Sequence, residues 1–255
     1  MKFIIRKILI NSSLRSIICF VRAFYFCKIK KKMMNYRNVS EDTWKNTLES
    51  NKRSILNENI NLPAHPHNKT FLDLGFAHSG GKSNWLIKAI EKKYNEKDYK
   101  ELKILSVGPR SEGELFNLFA NGFELKNIYG IDLFSYSPLI LLSDMHDIKL
   151  EDNKFDIVLM GWCLAYSNNK RKAINEANRV LKNNGSLIIG YSINSKPKSH
   201  EDSMQERGYL VSSPYDKIYN MENLDELVTS CGFKMFYSKI IDKKTSQRLI
   251  YGAQK

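Results

Sequence analysis

Residues 103–132 combine a β-prone apolar run, a loop, a helical pattern and an acid that ends a second apolar run. The run Ile104–Val107 stops at Gly108-Pro109, which cannot continue a strand. Asn121-Gly122 then supplies the residues that commonly end a helix. Ligands of an open α/β sheet bind at the carboxyl ends of strands, where an acid about two dozen residues past the loop accepts hydrogen bonds from a ribose. Asp132 is therefore the predicted ribose ligand.

Two other stretches contain residue types that could bind a phosphate or a metal. Residues 71–83 nearly spell a phosphate-binding P-loop, but Phe76 stands where its first glycine is required. We therefore predict a glycine turn there, followed by a helix over 84–97. His65 and His67 form a short His-x-His motif beside prolines, which is typical of a solvated loop, so no metal site is predicted.

Charge is concentrated at the amino-terminal end of this 255-residue chain. Residues 1–40 hold ten Lys and Arg and no acid, so the rest contributes only +3 of the net +13. This distribution argues against nucleic-acid binding by the body of the fold. The four cysteines are scattered without a CxxC spacing, which predicts free thiols in a reducing, cytoplasmic compartment.

Residues 2–29 are apolar but are interrupted by basic side chains. Lys7, Asn11, Arg15 and Arg22 follow one helical stripe, and most of the other positions are large and apolar. Together with the lysines at 28–32, this pattern favours a helix lying in an anionic membrane surface through residues 1–32. A membrane span, a signal peptide, and a packed or disordered segment that touches no lipid are the alternatives.

The remaining pattern alternates strands and helices, as a mostly parallel sheet requires. Phe155–Met160 is a near-continuous apolar run, which is typical of a central strand covered on both faces. Further on we predict a helix over 170–182, a strand over 186–190, a helix capped by Asn220, and a closing antiparallel hairpin over 233–252. The predicted organisation is an amino-terminal basic segment (1–35), a polar linker or helical extension (36–83) and the α/β domain (84–255).

From Lys103 to Gly190 the chain resembles the class I S-adenosylmethionine-dependent methyltransferases. The resemblance is carried, in the family's order and spacing, by ILSVGP, IYGID, SDMHDIKLEDNKFDIVLMGW and KAINEANRVLKNNGSLIIG. It implies a Rossmann-like doubly wound sheet of seven strands with a carboxyl-terminal antiparallel hairpin, and S-adenosylmethionine as cofactor. The basic segment is then an amino-terminal helical extension of that fold.

The resemblance also implies which residues contact the cofactor. Asp132 would take the ribose hydroxyls, Asp144 the adenine amino group, and Met145 would lie against the adenine ring. Gly161 and Trp162 would line the space near the methionine part and the methyl group. The implied cofactor-binding set is Gly108, Pro109, Glu112, Asp132, Leu133, Asp144, Met145, Gly161 and Trp162.

The loop after the first strand departs from the family pattern. Ser106 stands where the family usually has an acid, and Arg110 and Glu112 stand at two usual glycines. Glu112 and Glu114 would repel a pyrophosphate but suit a ligand that carries a sulfonium and an ammonium. A dinucleotide dehydrogenase or epimerase is therefore the weaker alternative, since G-x-G-x-x-G is also absent.

The predicted reaction is methyl transfer to a small polar acceptor, such as a sugar or glycan precursor at the inner face of the membrane. The candidate bases are His146, Tyr166 and His200. The polar insert 194–217 is predicted to be a substrate lid. The alternative from another class is a non-catalytic Rossmann-like binding or scaffold protein that has lost the usual cofactor loop.

Overall fold

The computed structural model describes residues 2–30, 34–35, 80–167, 169–194, 217–243 and 246–255. His200, His65, His67 and all but the two end residues of the predicted lid lie outside this range. Only the last four residues of the near P-loop motif, from Gly80 onward, fall within it.

A seven-stranded sheet forms the centre of the part of the chain that the structure describes. Its strands are β2 (Ile104–Val107), β3 (Ile128–Asp132), β5 (Ile140–Leu142), β6 (Phe155–Gly161), β7 (Leu181–Asn194), β8 (Lys234–Lys243) and β9 (Ser246–Gln254). They lie in the order β5-β3-β2-β6-β7-β9-β8. The first five are parallel, and β9 runs antiparallel to both of its neighbours. The predicted seven-stranded sheet with a closing hairpin is confirmed. Two short segments, β1 (Met34–Asn35) and β4 (Phe134–Ser135), form a separate antiparallel pair.

The central strand β6 is buried on both faces because its apolar side chains alternate between two cores. Ile157 and Leu159 belong to one hydrophobic cluster, and Val158 and Met160 belong to the other. Successive side chains of a strand point to opposite faces, so an unbroken apolar run needs cover on both sides.

Helices provide that cover on each face of the sheet. On one face lie α3 (Ser83–Ile90) and α4 (Glu112–Ala120), which share a core with Ile157 and Leu159. On the other face lie α5 (Lys170–Val180) and α6 (Met221–Thr229). Side-chain caps begin three of these helices, from Ser111 in α4, Asn169 in α5 and Asn220 in α6.

Helix α3 is shorter than the pattern predicts. It ends at Ile90, and the following residues form turns and a short 3₁₀ segment, Glu96–Asp98, capped by the side chain of Asn95. The prediction of a helix to residue 97 was wrong because the run of fully buried apolar positions in this pattern stops at Ile90. The charged residues after it gain nothing from staying helical, since most helical stability comes from packing.

Two amino-terminal helices, α1 (Lys2–Ile10) and α2 (Ser12–Phe24), pack against α4. Asn11 separates them, because its side chain accepts hydrogen bonds from the backbone N–H groups of Ser13 and Leu14 and so caps α2. The predicted single helix is thus two helices.

The arginines of α1 and α2 face the protein. Arg6 lies 2.9 Å from the carboxylate of Glu124, and Arg22 donates from Nε and Nη2 to both oxygens of Glu112 at 2.6 and 2.8 Å. Arg15 is fully buried and donates to the carbonyl of Leu9. The opposite face leaves large apolar side chains exposed, namely Phe3, Ile4, Ile5, Ile8, Ile10, Leu14, Ile17, Phe20, Val21 and Phe24. We call this the outer apolar face. No helix among the described residues has the length and apolarity to cross a membrane.

The buried position of Leu159 makes it a direct test of the two-sided core. We expect Leu159→Ala to lower the free energy of unfolding by about 2–5 kcal/mol, because it leaves a cavity beside α3 and α4. Leu141→Ala, on the edge strand where the side chain is 45% exposed, is the matched control and should cost about 1 kcal/mol or less. Urea unfolding measures both, and equal losses would contradict a core centred on β6.

The Arg22–Glu112 pair gives a second test, because the side chain of Glu112 is fully buried and that of Arg22 is 37% exposed. We expect Arg22→Met to lower the free energy of unfolding by about 3–5 kcal/mol, since it leaves a buried carboxylate without its cation. The double variant Arg22→Met/Glu112→Gln should recover much of this loss. Lys2→Met, which removes an exposed partner of Glu124, is the control and should change stability by about 1 kcal/mol at most. A loss for Arg22→Met as small as the control's would show that the helices are not held by this pair.

Candidate functional site

The loop after β2 is closed against the end of β3 by its own backbone. Gly108 and Arg110 both have positive φ, at +67° and +58°. A Cβ on Gly108 would lie 2.6 Å from the Cβ of Cys163, so only glycine fits there. The backbone N–H of Arg110 donates to Oδ2 of Asp132 at 2.9 Å. The turn at Gly108-Pro109 therefore lies beside the acid that the sequence singled out.

The carboxylate of Glu112, the first residue of α4, is hydrogen-bonded to other residues of the protein. Besides Arg22, the hydroxyl of Ser137 donates to it at 2.5 Å. Its backbone N–H donates to the hydroxyl oxygen of Tyr136 at 3.3 Å. These contacts fix the start of α4, and direct contact between Glu112 and a cofactor stays a prediction.

Asp144 and His146 form a hydrogen-bonded chain beside the expected adenine position. Oδ1 of Asp144 lies 2.9 Å from the backbone nitrogen of His146 and 2.7 Å from its Nδ1. Burial alone would raise the pKa of Asp144, but the hydrogen bonds and charge of His146 outweigh it and hold that pKa below its ordinary value. Nε2 of His146 lies 2.7 Å from the hydroxyl of Ser167. Within the described ranges both side-chain hydrogen bonds of Asp144 reach Oδ1, which leaves Oδ2 for a donor such as an amino group.

Gly161 and Trp162 end β6 in a tight turn. Trp162 has φ +65°, and its backbone N–H donates to the carbonyl of Gly190 at 2.8 Å. Its indole Nε1 is buried without a hydrogen-bond partner among the described residues. A Cβ on Gly161 would lie 2.9 Å from Oε2 of Glu114, so the site has no room for a side chain there.

The other predicted residues lie around this same edge of the sheet. Leu133 follows Asp132 and is partly buried, and Met145 packs against the core that contains α5. Tyr166 lies in a 3₁₀ turn, Leu164–Tyr166, and is partly buried against the same core. The structure therefore brings two of the three candidate bases, His146 and Tyr166, to the loops that follow β5 and β6.

Sequence reasoning gave Glu114 no defined place in the site. Its carboxylate accepts a hydrogen bond from the hydroxyl of Ser106 at 2.5 Å, across the buried start of α4. The sequence feature that could have revealed this contact is Ser106, because a polar residue in the middle of a fully buried strand requires a hydrogen-bond partner. Arg22 was also missed as a partner of the loop, since its contact with Glu112 spans ninety residues.

The donor and acceptor groups of this edge decide which ligand fits. A pyrophosphate needs free backbone N–H groups at the helix start. Those of the loop are used internally, at Gly108, Arg110, Ser111, Glu112 and Gly113. What the edge offers instead is carboxylates, at Glu114, Asp132 and Asp144. This set suits a ligand with positive charge, hydroxyl groups and an amino group, as in S-adenosylmethionine.

Comparison with known proteins agrees with this chemistry. Residues 105–189 match the family model described as a methyltransferase domain. An uncharacterized protein of Methanocaldococcus jannaschii is 27% identical over 97 residues, a match that covers 37% of this chain and 46% of that protein. The chain thus spans about half the length of this curated relative.

Solved structures share the fold at low sequence identity. The 1,6-didemethyltoxoflavin-N1-methyltransferase of Burkholderia thailandensis aligns with a TM-score of 0.57 at 12% identity, over 87% of this chain and 93% of that one. A candidate sarcosine dimethylglycine methyltransferase of Galdieria sulphuraria aligns with a TM-score of 0.53 at 14% identity, over 69% of this chain and 85% of that one. Residues 105–189, about a third of the chain, therefore match a methyltransferase domain, and the chain has the Rossmann-like fold of class I methyltransferases.

Proposed function

We propose that this protein binds S-adenosylmethionine at the carboxyl edge of its sheet and transfers the methyl group to a small polar acceptor. The observation that carries the proposal is the set of carboxylates at an edge whose backbone N–H groups are already used. The bound cofactor supplies an electrophilic methyl group on a sulfonium, so the protein needs mainly to position the acceptor and exclude water.

Each residue around the edge has a proposed part in holding that cofactor. Asp132 accepts from the ribose hydroxyls and Oδ2 of Asp144 accepts from the adenine amino group. Met145 packs on the adenine, and Trp162 lies toward the methionine part. The walls of the proposed cofactor site are formed by the backbone at Gly108, Pro109, Leu133 and Gly161. Glu112 contributes indirectly, because its contacts with Arg22 and Ser137 fix the start of α4.

The class of methyl acceptor is proposed from the candidate bases and from the polarity of the insert. An oxygen acceptor that must lose a proton needs a base, and His146, Tyr166 and His200 are the candidates. His146 is oriented by Asp144 and shares its other ring nitrogen with Ser167. The polar insert 194–217 is the proposed lid, which favours a polar acceptor such as a sugar or glycan precursor. A small-molecule acceptor also agrees with the Burkholderia thailandensis enzyme, whose structure contains 1,6-didemethyltoxoflavin and S-adenosylhomocysteine.

One observation favours the second candidate function, a non-catalytic binding or scaffold protein. The start of α4 uses Glu112 to hold Arg22 and Ser137, so this loop serves the packing of the fold as well as any ligand. A protein that had lost its cofactor could keep this arrangement. Cofactor binding separates the two functions.

We further propose that residues 1–32 attach the protein to an anionic membrane surface on its inner, cytoplasmic face. An ordinary surface helix turns its apolar side to the core, whereas α1 and α2 expose their outer apolar face to solvent. Lys7 and Lys30 are exposed on the same segment, which carries ten basic residues and no acid over residues 1–40. Apolar side chains beside lysines match an anionic bilayer, into which such a face inserts.

Calorimetric titration with S-adenosylmethionine tests the cofactor. We expect the folded protein to bind it, and Asp132→Ala to weaken binding about 10- to 100-fold, because hydrogen bonds to a charged group contribute about 1.5–3 kcal/mol. Asp147→Ala, at an exposed acid on the neighbouring loop, is the matched control and should bind like the wild type. Circular dichroism confirms that each variant is folded. Absence of binding by the folded wild-type protein would favour the scaffold function.

Co-sedimentation with vesicles tests the membrane surface. We expect the full chain to pellet with vesicles of equal phosphatidylglycerol and phosphatidylcholine, and less with phosphatidylcholine alone. Ile17→Asp/Phe20→Asp should lower the partition coefficient at least about 100-fold, since burial of each side chain contributes about 1.5–3 kcal/mol. Leu141→Asp, an exposed apolar residue of the edge strand, is the control. Equal pelleting of the double variant and the wild type would contradict the proposal, as would a dimer in solution that this double variant dissociates.

A further inference from the structure

Glu114 is a buried carboxylate at the start of α4 that faces the end of β6. The residue is 8% exposed. Oε1 accepts from the hydroxyl of Ser106 at 2.5 Å, and Oε2 lies where a Cβ on Gly161 would be only 2.9 Å away. Behind it, a Cβ on Gly80 would lie 2.4 Å from the backbone nitrogen of Glu114. Two glycines therefore leave space for this carboxylate, one beside its oxygen and one behind its backbone.

The charge of Glu114 lacks an opposite charge within the part of the chain that the structure describes. Its hydrogen-bond partner is a neutral hydroxyl, and no described residue forms an ion pair with it. Burial raises its pKa to about 7, and the hydrogen bond from Ser106 offsets only part of that rise. A buried carboxylate without a cation is costly, and removing one partner of a buried pair typically costs several kcal/mol. In the absence of a cation the group avoids this cost by keeping its proton, and a ligand that brings positive charge would favour its ionised form.

The other titratable groups around Glu114 do not supply the missing charge. Cys163, on the loop after β6, has its own pKa raised by burial and by the charge of Glu114. Asp132, at the end of β3, also raises the pKa of Cys163, so it adds negative charge to the same space. Lys82, just before α3, places its ammonium 5.5 Å from the centre of a Trp162 ring. Glu112, two residues earlier in α4, is committed to Arg22.

We propose that Glu114 is the counter-charge for the methionine part of S-adenosylmethionine, and that binding ionises its carboxyl group. This inference rests on the proposed function. The free protein holds the proton on the carboxyl group at slightly acid pH. When the cationic ligand binds, the O–H bond breaks, both electrons stay on the carboxylate oxygen, and the proton passes to the buffer. Glu114 thus determines cofactor affinity without taking part in methyl transfer.

The sign of the resulting pH dependence follows from linkage. The pKa of Glu114 in the folded protein is about 7, above its ordinary value of 4.5. Its contribution to the stability of the free protein is therefore fully present below about pH 4.5 and is lost as the pH rises through about 7. The affinity for a cation that binds the ionised carboxylate depends on pH in the opposite direction. This affinity should rise about tenfold for each pH unit up to about pH 7 and then level off.

Titration calorimetry of the full chain tests the proposal. S-adenosylmethionine is titrated at pH 6 in buffers of different ionisation enthalpy, which gives the number of protons released. We expect close to one proton from the wild type and close to none from Glu114→Gln, which keeps the shape of the side chain and can accept from Ser106. Glu151→Gln makes the same change at an exposed glutamate and should behave like the wild type. Between pH 5.5 and 7, affinity should rise with pH for the wild type and stay level for Glu114→Gln.

The outcomes separate this inference from the proposed function. No binding by the folded wild type at any pH would overturn the proposed function. Binding without proton release by the wild type, or unchanged affinity and release in Glu114→Gln, would overturn only the role of Glu114. The wild-type measurement decides the matter even if the variant does not fold. Titration with S-adenosylhomocysteine, which lacks the sulfonium, identifies the charge, since equal proton release assigns Glu114 to the ammonium and lost release assigns it to the sulfonium.

Discussion

Burial of two glutamates at the start of α4 is the constraint on which the surrounding structure depends. A carboxylate taken out of water must be given a cation or a proton. Glu112 takes Arg22, and this contact draws α2 onto the core. Among the described residues Glu114 has the neutral hydroxyl of Ser106 as its partner, and its raised pKa lets it keep a proton in place of a cation. One helix turn thus connects the amino-terminal helices to the proposed cofactor edge.

The same constraint explains the unusual orientation of α1 and α2. Because Arg6 and Arg22 contact Glu124 and Glu112, the arginine side of the helices turns inward, and small residues such as Cys19 and Ala23 line the contact. The large apolar residues are left on the other side by geometry alone. The arginine–glutamate contacts and the exposed apolar face therefore both result from the same orientation of α1 and α2.

The sheet could be predicted from sequence because its signals are local. The unbroken apolar run of β6, the helix capped by Asn220 and the final hairpin each report on neighbouring residues only. The position of the candidate site residues at strand ends, Asp132 above all, follows from the order of strands and helices along the chain. The helical wheel showed that α2 has two unlike sides, but it cannot tell which side meets the protein. The contacts of Arg22 with Glu112 and of Ser106 with Glu114 depend on tertiary packing, so no periodicity reveals them.

The long separation between Arg22 and Glu112 also has a consequence for the order of folding during synthesis. A ribosome adds about 5–20 residues per second, so α2 is made several seconds before the carboxylate that anchors it. During that interval its guanidinium groups have no core to dock on, and its apolar side chains have no folded partner within the chain. The amino-terminal helices can therefore take their final place only after the α/β body has been made and α4 can receive Arg22.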